Sequence, residues 1–581
     1  VNRSSVQTRA ARVVIAFFVA GCASSSGPEP STSTSVPAPT SGNPAEFTIE
    51  GPLKFAARPT SGDISAIDLM SRLYVFADDS MMGRDDGGPL GAAKASTYIE
   101  RELRRMRVTP AGDNGTYFQD IGYRSVLADT RSAITVDGQT LTLGRDFMPV
   151  PRVGGRPVRD QAAVIFGGTV DSVSRLSSSD AAGKIVMLLP APGGRGGRGG
   201  GGRGGAGATP DALMSASAIL IVQSDSLSAV NPVRGILPSE ADILAAGPTR
   251  INITTAAATR LLGTSPASAS VGTVGKTARL DVTFAETRIP VRNVVGIVPG
   301  TDRDMGRTYV ALGAHLDHVG FTRNPIDHDS VRAFNKVMRP RGLNDPVTAP
   351  NAEQQARIRT IRDSLGRLHP ARRDSINNGA DDDGSGSVAL LEIAEAMMNG
   401  SRPKRSTLFV WHASEEDGLL GSRFFADHPT VPRDSIVAQL NTDMLGRGRA
   451  SDHALGGPKY LRMIGSRRLS KELGDIVERV NVQRNYNFDL DYSYDVPGHP
   501  MNSYCRSDHF NYARYGIPIA YMGTSTQADY HMVSDEPQYI DYPGMARRAS
   551  FMRDLALAVG NLDHRPVLDK ERPDPRQPCR Q

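Results

Sequence analysis

NNGADDDGSGSVALLEIAEAMM (377–398) opens on turn formers and three consecutive aspartates and continues, from near Gly386, as an apolar helix. On either side lie TYVALGAH (308–315) and STLFVWHA (406–413), short continuous apolar runs of strand length. Further out, NVVGIVPG (293–300), IVAQLNTD (436–443) and IPIAYMG (517–523) repeat that texture. Strands that are apolar throughout and alternate with helices are buried on both faces. The pattern predicts an α/β domain over 286–565, a mixed, largely parallel sheet flanked by helices.

Upstream, IDLMSRLYVFA (67–77) and AAKASTYIERELRRM (92–106) carry apolar residues three and four apart and read as helices. DDSMMGRDDGGPLG (78–91) between them is a loop, and 63–130 forms the N-terminal part of the same domain. From 131 to 285 the texture changes to short β-like runs: AAVIFGG (162–168), KIVMLLP (184–190), AILIVQS (218–224) and RINIT (250–254). They predict a mostly-β domain inserted into the larger one. Within it, GGRGGRGGGGRGGAGA (193–208) has the composition of a disordered loop, and Arg195, Arg198 and Arg203 supply little charge for RNA. The 321–376 stretch is poor in large apolar residues and reads as a surface insertion near the active-site rim, with one exposed helix over 352–368. The Pro- and Arg-rich end, 566–581, reads as a disordered tail.

Composition narrows the function classes. The 581 residues are 39% hydrophobic and 22% charged, which excludes wholesale disorder. Lys and Arg number 67 against 62 Asp and Glu, so the net charge of +5 is a weak basis for a nucleic-acid partner, and none is expected. Three cysteines, Cys22, Cys505 and Cys579, cannot make a disulfide scaffold, and the last two are expected to be free. No apolar run reaches the roughly 20 residues of a spanning helix. Arg3, Arg9 and Arg12 precede a short apolar run that ends in VAGC (19–22), the layout of a signal peptide. The small residue before Cys22 resembles the lipobox of bacterial lipoproteins. That resemblance implies a signal peptide over 1–22, a lipid on Cys22 as the sole membrane attachment, and a place in the bacterial cell envelope, on its periplasmic face or outer surface. An ordinary signal peptide would lead to secretion instead. Residues 23–62, Ser/Thr/Pro-rich through 24–44, would then be a flexible tether.

Open α/β sheets bind ligands at the carboxyl ends of their strands. Here those ends, and the turns beside them, deliver His and carboxylates: GAHLDHVG (313–320), NNGADDDGSGS (377–387), ASEEDG (413–418), NTDMLGR (441–447) and ADYHMVSDEP (528–537). His315, Asp382, Glu416, Asp443 and His531 form a nitrogen/oxygen set without Cys, which suits zinc in a hydrolytic role. Three carboxylates and two imidazoles exceed the needs of one catalytic zinc. Two Zn2+ ions about 3.5–4 Å apart that share one carboxylate resolve the count.

HLD, then G-A-D-D-D-G-S-G at a helix start, EE-x-G-L-x-G-S, N-x-D-M-x-G, and YH followed by SDEP resemble, in that order, the di-zinc aminopeptidase family. That family includes bacterial leucyl aminopeptidases and the glutamate carboxypeptidase and transferrin receptor relatives. The resemblance spans about 63–130 and 286–560, and the 78–91 loop is similar to the family's S-x-x-M-x-GR-x-x-G segment. The inserted stretch, with GKIVML and AILIV, resembles the protease-associated domain that many members carry.

The resemblance implies the zinc exopeptidase fold and a metallo-exopeptidase, an aminopeptidase that trims peptides through a metal-bridging water. It implies His315, Asp382 and Asp443 on one zinc and Asp382, Glu416 and His531 on the other. Asp317 would orient His315, and Glu415 would be the general base. Either Tyr504 or Tyr530 would stabilise the oxyanion, and the Asp382–Asp383 peptide bond would be cis. His318, His328, His369, His412, His428, His453, His499 and His509 are expected to be structural or solvent-facing. Asp381 is expected to cap the following helix or face its N-terminus, Asp535 to orient the His531 loop, and Arg447 to reach substrate or pair with a carboxylate. A carboxypeptidase of the glutamate carboxypeptidase type and a one-zinc glutaminyl cyclase are alternatives on the same fold. A catalytically dead binding protein would have lost ligands that are all present here. Side-chain preference and oligomeric state are set by no feature of the sequence.

Overall fold

Side chains alternate between the two faces of a strand, and the central strands use this to fill two cores at once. In Ser406–His412, Phe409 and Trp411 pack with Val310, Leu312 and Ala314 on one face, while Leu408 and Val410 pack with Ala311 on the other. The first core is closed by the helices Ala66–Phe76, Gly91–Arg105, Gly386–Asn399 and Tyr542–Gly560. The second is closed by Leu420–Asp427 and His509–Ala513. Buried Arg72 bonds Glu392 and Glu395 of the 386–399 helix and lies 2.8 Å from Glu102, so the charges between three helices are paired.

The computed structural model describes residues 51–581, except 89, 172–175, 191–209, 224–226, 228–231, 369, 453–454 and 525–526. The signal peptide, Cys22, most of the tether and the Gly/Arg-rich run therefore lie outside the described residues. The main sheet is mixed. Ser406–His412, Tyr309–His315, Ile436–Thr442 and Ile519–Gly523 run parallel at its centre. Arg292–Val298 and Tyr460–Ile464 flank them antiparallel, one on each side. The carboxyl ends of the four parallel strands thus share one edge. All five strands expected from apolar runs in this domain are present. The short flanking strands Thr109–Pro110, Phe118–Asp120 and Asp489–Asp491 carry no comparable signal.

Residues 133–282 form a second, eight-stranded sheet, with the helix Thr255–Leu262 packed in its core. The chain enters this region on Tyr123–Ala128 and leaves on Phe284–Arg288, and the two strands pair antiparallel. Adjacent entry and exit strands let an insert fold without opening its host. The 321–376 excursion is a strand pair, Phe321–Asp327 with Arg373–Ile376, that carries the helices His328–Met338 and Ala352–Leu368. The second helix buries only Ile361 and Leu365, as its composition predicts.

Two expectations for the ends of the described chain are corrected. Residues 51–62 are tied down, not a free tether. The Gly51 N–H donates to the Gln538 carbonyl (2.7 Å), the Ser61 N–H to Asp68 (2.9 Å) and the Thr60 hydroxyl to Glu395 (2.7 Å). The tail is likewise anchored. Cys579 forms a disulfide with Cys505, so neither is free. Gln581 donates to the Tyr494 carbonyl (2.6 Å) and accepts from the Tyr504 N–H (3.0 Å). Pro and Arg content reads as disorder here, but a covalent staple holds the segment.

His509 is buried between the rings of Tyr504 and Tyr521. Burial pulls its pKa down to about 4, and the neighbouring Asp508 only partly opposes this. In the unfolded chain the group titrates near 6.5, so the unfolded state takes up the proton first and stability is lost as pH falls from 6.5 towards 4. His509→Leu should remove about 2 kcal/mol of the stability difference between pH 7 and pH 5. Urea unfolding of both proteins at the two pH values measures this. Equal pH dependence would contradict it.

Candidate metal centre

The turns that follow three of the parallel strands are held in unfavourable backbone. Ser414 (φ 54°), Met444 (φ 62°) and His531 (φ 58°) are non-glycine residues in the left-handed region. Each costs on the order of 1–3 kcal/mol and persists only where surrounding contacts over-determine it. Ser414 precedes Glu415 and Glu416, Met444 follows Asp443, and His531 is itself an expected ligand.

The five expected ligands come together. Asp382 places Oδ1 3.1 Å from His315 Nε2 and Oδ2 3.0 Å from His531 Nε2. Asp443 Oδ1 lies 3.7 Å from His315 Nε2, and Glu416 Oε2 lies 3.0 Å from His531 Nε2. One carboxylate thus stands between two imidazoles. His318, expected to be structural, joins the second group, with Nδ1 2.9 Å from Glu416 Oε1. Its signal was legible as a second imidazole in the same loop, three residues after His315.

Burial disfavours a charged His315, yet Asp317, Asp382 and Asp443 hold its pKa well above the imidazole range. For His531 the carboxylates of Asp382 and Glu416 overcome burial and push the pKa up to about 10. Asp382 is held well below the carboxylate range by the same imidazoles, against the cost of burial. The cluster therefore favours positive charge at its centre. Asp382 Oδ2, Glu416 Oε1, His531 Nε2 and both ring nitrogens of His318 are buried and face one another without a well-aligned hydrogen bond. Buried polar atoms are ordinarily satisfied. A convergent nitrogen/oxygen set left unsatisfied fits a hydrolytic divalent cation such as zinc.

Residues 293–556 match the model of peptidase family M28. This segment is similar to that family. Leucine aminopeptidase 1 of Emericella nidulans is 26% identical over 264 residues, which cover 43% of this chain and 62% of that protein. A probable leucine aminopeptidase of Arthroderma benhamiae is 38% identical over 91 residues, 13% of this chain and 26% of that protein. The chain thus spans less than two thirds of the length of these curated relatives. Among solved structures it is similar to an aminopeptidase from Aneurinibacillus sp. strain AM-1, at 15% identity and a TM-score of 0.44, over 87% of this chain and 97% of that one. It is also similar to a zinc aminopeptidase from Bacillus subtilis, at 16% identity and a TM-score of 0.42, over 86% and 96%.

Within the matched segment, the groups around the ligands differ in part from expectation. The Asp382–Asp383 bond is trans, since the described residues contain no cis bond. The turn is made instead by Asp382 and Asp383 leaving helical φ/ψ. Asp383, whose carboxylate also lies in one group with His315 and Asp443, accepts from the N–H groups of His315 (3.1 Å), Gly386 (2.9 Å) and Met444 (3.1 Å). Its role is to tie three ligand-bearing segments together. The Asp317 carboxylate accepts the N–H groups of Glu415 (3.0 Å) and Glu416 (3.1 Å) and lies 3.7 Å from His315 Nδ1. The nearer partner of His315 Nδ1 is the Asp317 carbonyl, at 3.2 Å. Asp317 therefore positions the Glu415–Glu416 backbone through its side chain and His315 through its main chain.

Asp381 accepts from Ser385 Oγ (3.2 Å) and from the Gly446 (2.7 Å) and Arg447 (3.1 Å) amides, which binds two loops instead of capping a helix alone. Asp535 accepts the Asp381 and Asp382 N–H groups, so the loop bearing His531 is locked to the Asp382 turn. Arg447 pairs with Asp452 (2.9 Å) and Asp529 (3.3 Å). The two tyrosines separate. Tyr504 packs with Leu469, Ile517 and Ile519, beside Arg468 and Asp495, none of which belongs to either ligand group. Tyr530 stacks on His531 at 3.7 Å. Burial, and then Glu416, Asp382 and Glu415, push its phenol pKa well up. Glu415 is likewise pushed well above the carboxylate range by burial, opposed by His315 and reinforced by Glu416, Asp443 and Asp508.

His412 lies 2.9 Å from the Tyr512 hydroxyl and 3.1 Å from Asp508, beneath the site and outside both ligand groups. His328 stacks on Tyr539, while His428 and His499 contact Phe424 and Tyr494. His369 and His453 lie outside the described residues.

Arg84, from the 78–91 loop, is fully buried and donates to the carbonyls of Leu316 (3.0 Å), Asn378, Gly379 (2.9 Å) and Asp382 (3.0 Å). One guanidinium fork thus holds the His315 loop against the Asp382 turn. Arg84→Lys keeps the charge but cannot reach all four carbonyls. It should weaken binding of a divalent metal roughly 10–100-fold and lower the thermal midpoint. Chelator competition and a melt check both, and no change in either would show that the fork is dispensable.

Proposed function

We propose that this chain is a zinc-dependent metallopeptidase, an aminopeptidase that removes N-terminal residues from peptides at a two-zinc centre. The observation that carries the reading is Asp382 standing between His315 and His531, one oxygen towards each. Asp443 would complete the first zinc's ligands and Glu416 the second's. Bound there, zinc would supply Lewis-acid polarisation of the scissile carbonyl and a water acidified towards neutral pH. The names of the curated relatives, leucine aminopeptidases, support release from the N-terminus over the carboxypeptidase alternative.

Glu415 stands among His315, Glu416 and Asp443 without belonging to either ligand group. It takes a proton from the attacking water and delivers it to the leaving amine. Tyr530, kept protonated by burial and the neighbouring carboxylates, donates its hydroxyl to the developing oxyanion. A mostly apolar cavity of about 350 Å³ opens beside the centre. Ile326, Val331 and Phe334 of the 321–376 insertion and His531, Met532 and Val533 line it. It suits an apolar substrate side chain.

The reading includes export. A Cys505–Cys579 disulfide is at home in an oxidising compartment. No helix among the described residues is long and apolar enough to cross a membrane. In this reading a lipid on Cys22 is the membrane attachment.

One short peptide tests the reaction in three forms: free at both ends, N-acetylated and C-amidated. With zinc, the free and C-amidated forms should lose the first residue. The acetylated form should be inert, and a chelator should stop all cleavage. Loss of the last residue from the acetylated form would assign a carboxypeptidase instead. Glu415→Gln should abolish turnover while both zinc ions remain by metal analysis.

Tyr530→Phe should lower kcat on the order of 100-fold with little change in KM, whereas Tyr504→Phe should leave kcat near wild type. The reverse pattern would assign the oxyanion to Tyr504.

A further inference from the structure

His318 is a buried imidazole beside the metal centre that the proposed reaction does not use. It is 2% exposed, and neither ring nitrogen makes a well-aligned hydrogen bond, although Nδ1 comes close to Glu416. Unlike His509, which lies between two aromatic rings without a well-aligned partner, His318 points its ring at carboxylates that lack well-aligned partners of their own. The ring is also held in place. Its backbone N–H donates to the Arg84 carbonyl at 3.2 Å. Gly379, in the left-handed region at φ 56°, lies so close that a Cβ there would sit 2.5 Å from the imidazole Cγ. Any other residue at 379 would displace the ring.

Its Nδ1 faces two carboxylates, Glu416 Oε1 at 2.9 Å and Asp382 Oδ2 at 3.8 Å. His531 Nε2 faces the same two residues, at 3.0 Å from each. The two imidazoles meet edge to face, 81° apart. Donors at about 2.0–2.2 Å from a tetrahedral zinc are separated by roughly 3.3–3.5 Å. The four distances fall around that edge length, and His318 satisfies it as well as the expected ligands do.

We infer that His318 is a zinc ligand alongside Asp382, Glu416 and His531, so that this half of the centre is a four-ligand, all-protein site. The inference rests on the two-zinc reading above and adds a ligand to it. Structural zinc sites are closed by four protein ligands, whereas catalytic ones keep a position open. The His315–Asp443 half, which shares Asp382, is then the half with room for substrate. The two ions are held unequally, the four-ligand one more tightly.

X-ray absorption of the zinc-loaded full chain tests this by counting imidazoles. Loaded with one equivalent, the wild type should show two imidazoles per zinc, and with two equivalents three per chain. His318→Gln should show one and two respectively, with release of the tighter zinc faster by more than about 100-fold in chelator competition. One imidazole per zinc at both loadings in the wild type would overturn the inference and make His318 a mere hydrogen-bond partner of Glu416. That count decides the matter even if the variant fails to fold. Absence of bound zinc at either loading would instead overturn the peptidase reading itself.

Discussion

Asp382 offers one carboxylate oxygen to His315 and the other to His531, and much of the surrounding structure keeps it there. A carboxylate that bridges two imidazoles must be fixed in position and orientation at once. The turn that carries it has no regular helix or sheet to hold it. It is held from three sides: by Arg84 on its carbonyls, by Asp535 on its amides, and by Asp383 on the next segments over. Each clamp is a charged group bonded to backbone, and charge-assisted bonds of this kind resist displacement in a dry interior.

The fold makes such a centre possible by bringing the carboxyl ends of parallel strands to one edge. Between the strands the cores are apolar on both faces, so carboxylates are confined to the turns. There, Asp317, Asp381, Asp383 and Asp535 accept backbone N–H groups, while Asp382, Asp443, Glu415 and Glu416 face the site. The left-handed residues Ser414, Met444 and His531 mark where backbone geometry has yielded to side-chain placement. The insertion over 321–376 contributes at the rim, where it and the His531 loop enclose a mostly apolar cavity.

Most of the main fold was legible because buried parallel strands are written as continuous apolar runs. The flanking strands were not, since two- and three-residue strands such as Thr109–Pro110 and Asp489–Asp491 are defined by their partners and not by their own side chains. The five expected ligands each stand in a distinct strand-end motif and come together. His318 escaped because an imidazole in a loop reads as structural until its two ring nitrogens are found without well-aligned partners. Tyr504 and Tyr530 were equivalent in sequence. Only packing sent the first to an apolar cluster and stacked the second on His531.

The sequence by itself determined the strand-and-helix alternation and the chemistry available at the strand ends. Both follow from local composition: apolar runs must be buried, and His, Asp and Glu without Cys limit the metals that can bind. Tertiary structure decided which carboxylates are free and which are spent on backbone, that Cys579 reaches Cys505, and that His318 faces Glu416. These are matters of distance between residues far apart in the chain, or of the direction in which a side chain points. Neither is encoded in a local pattern.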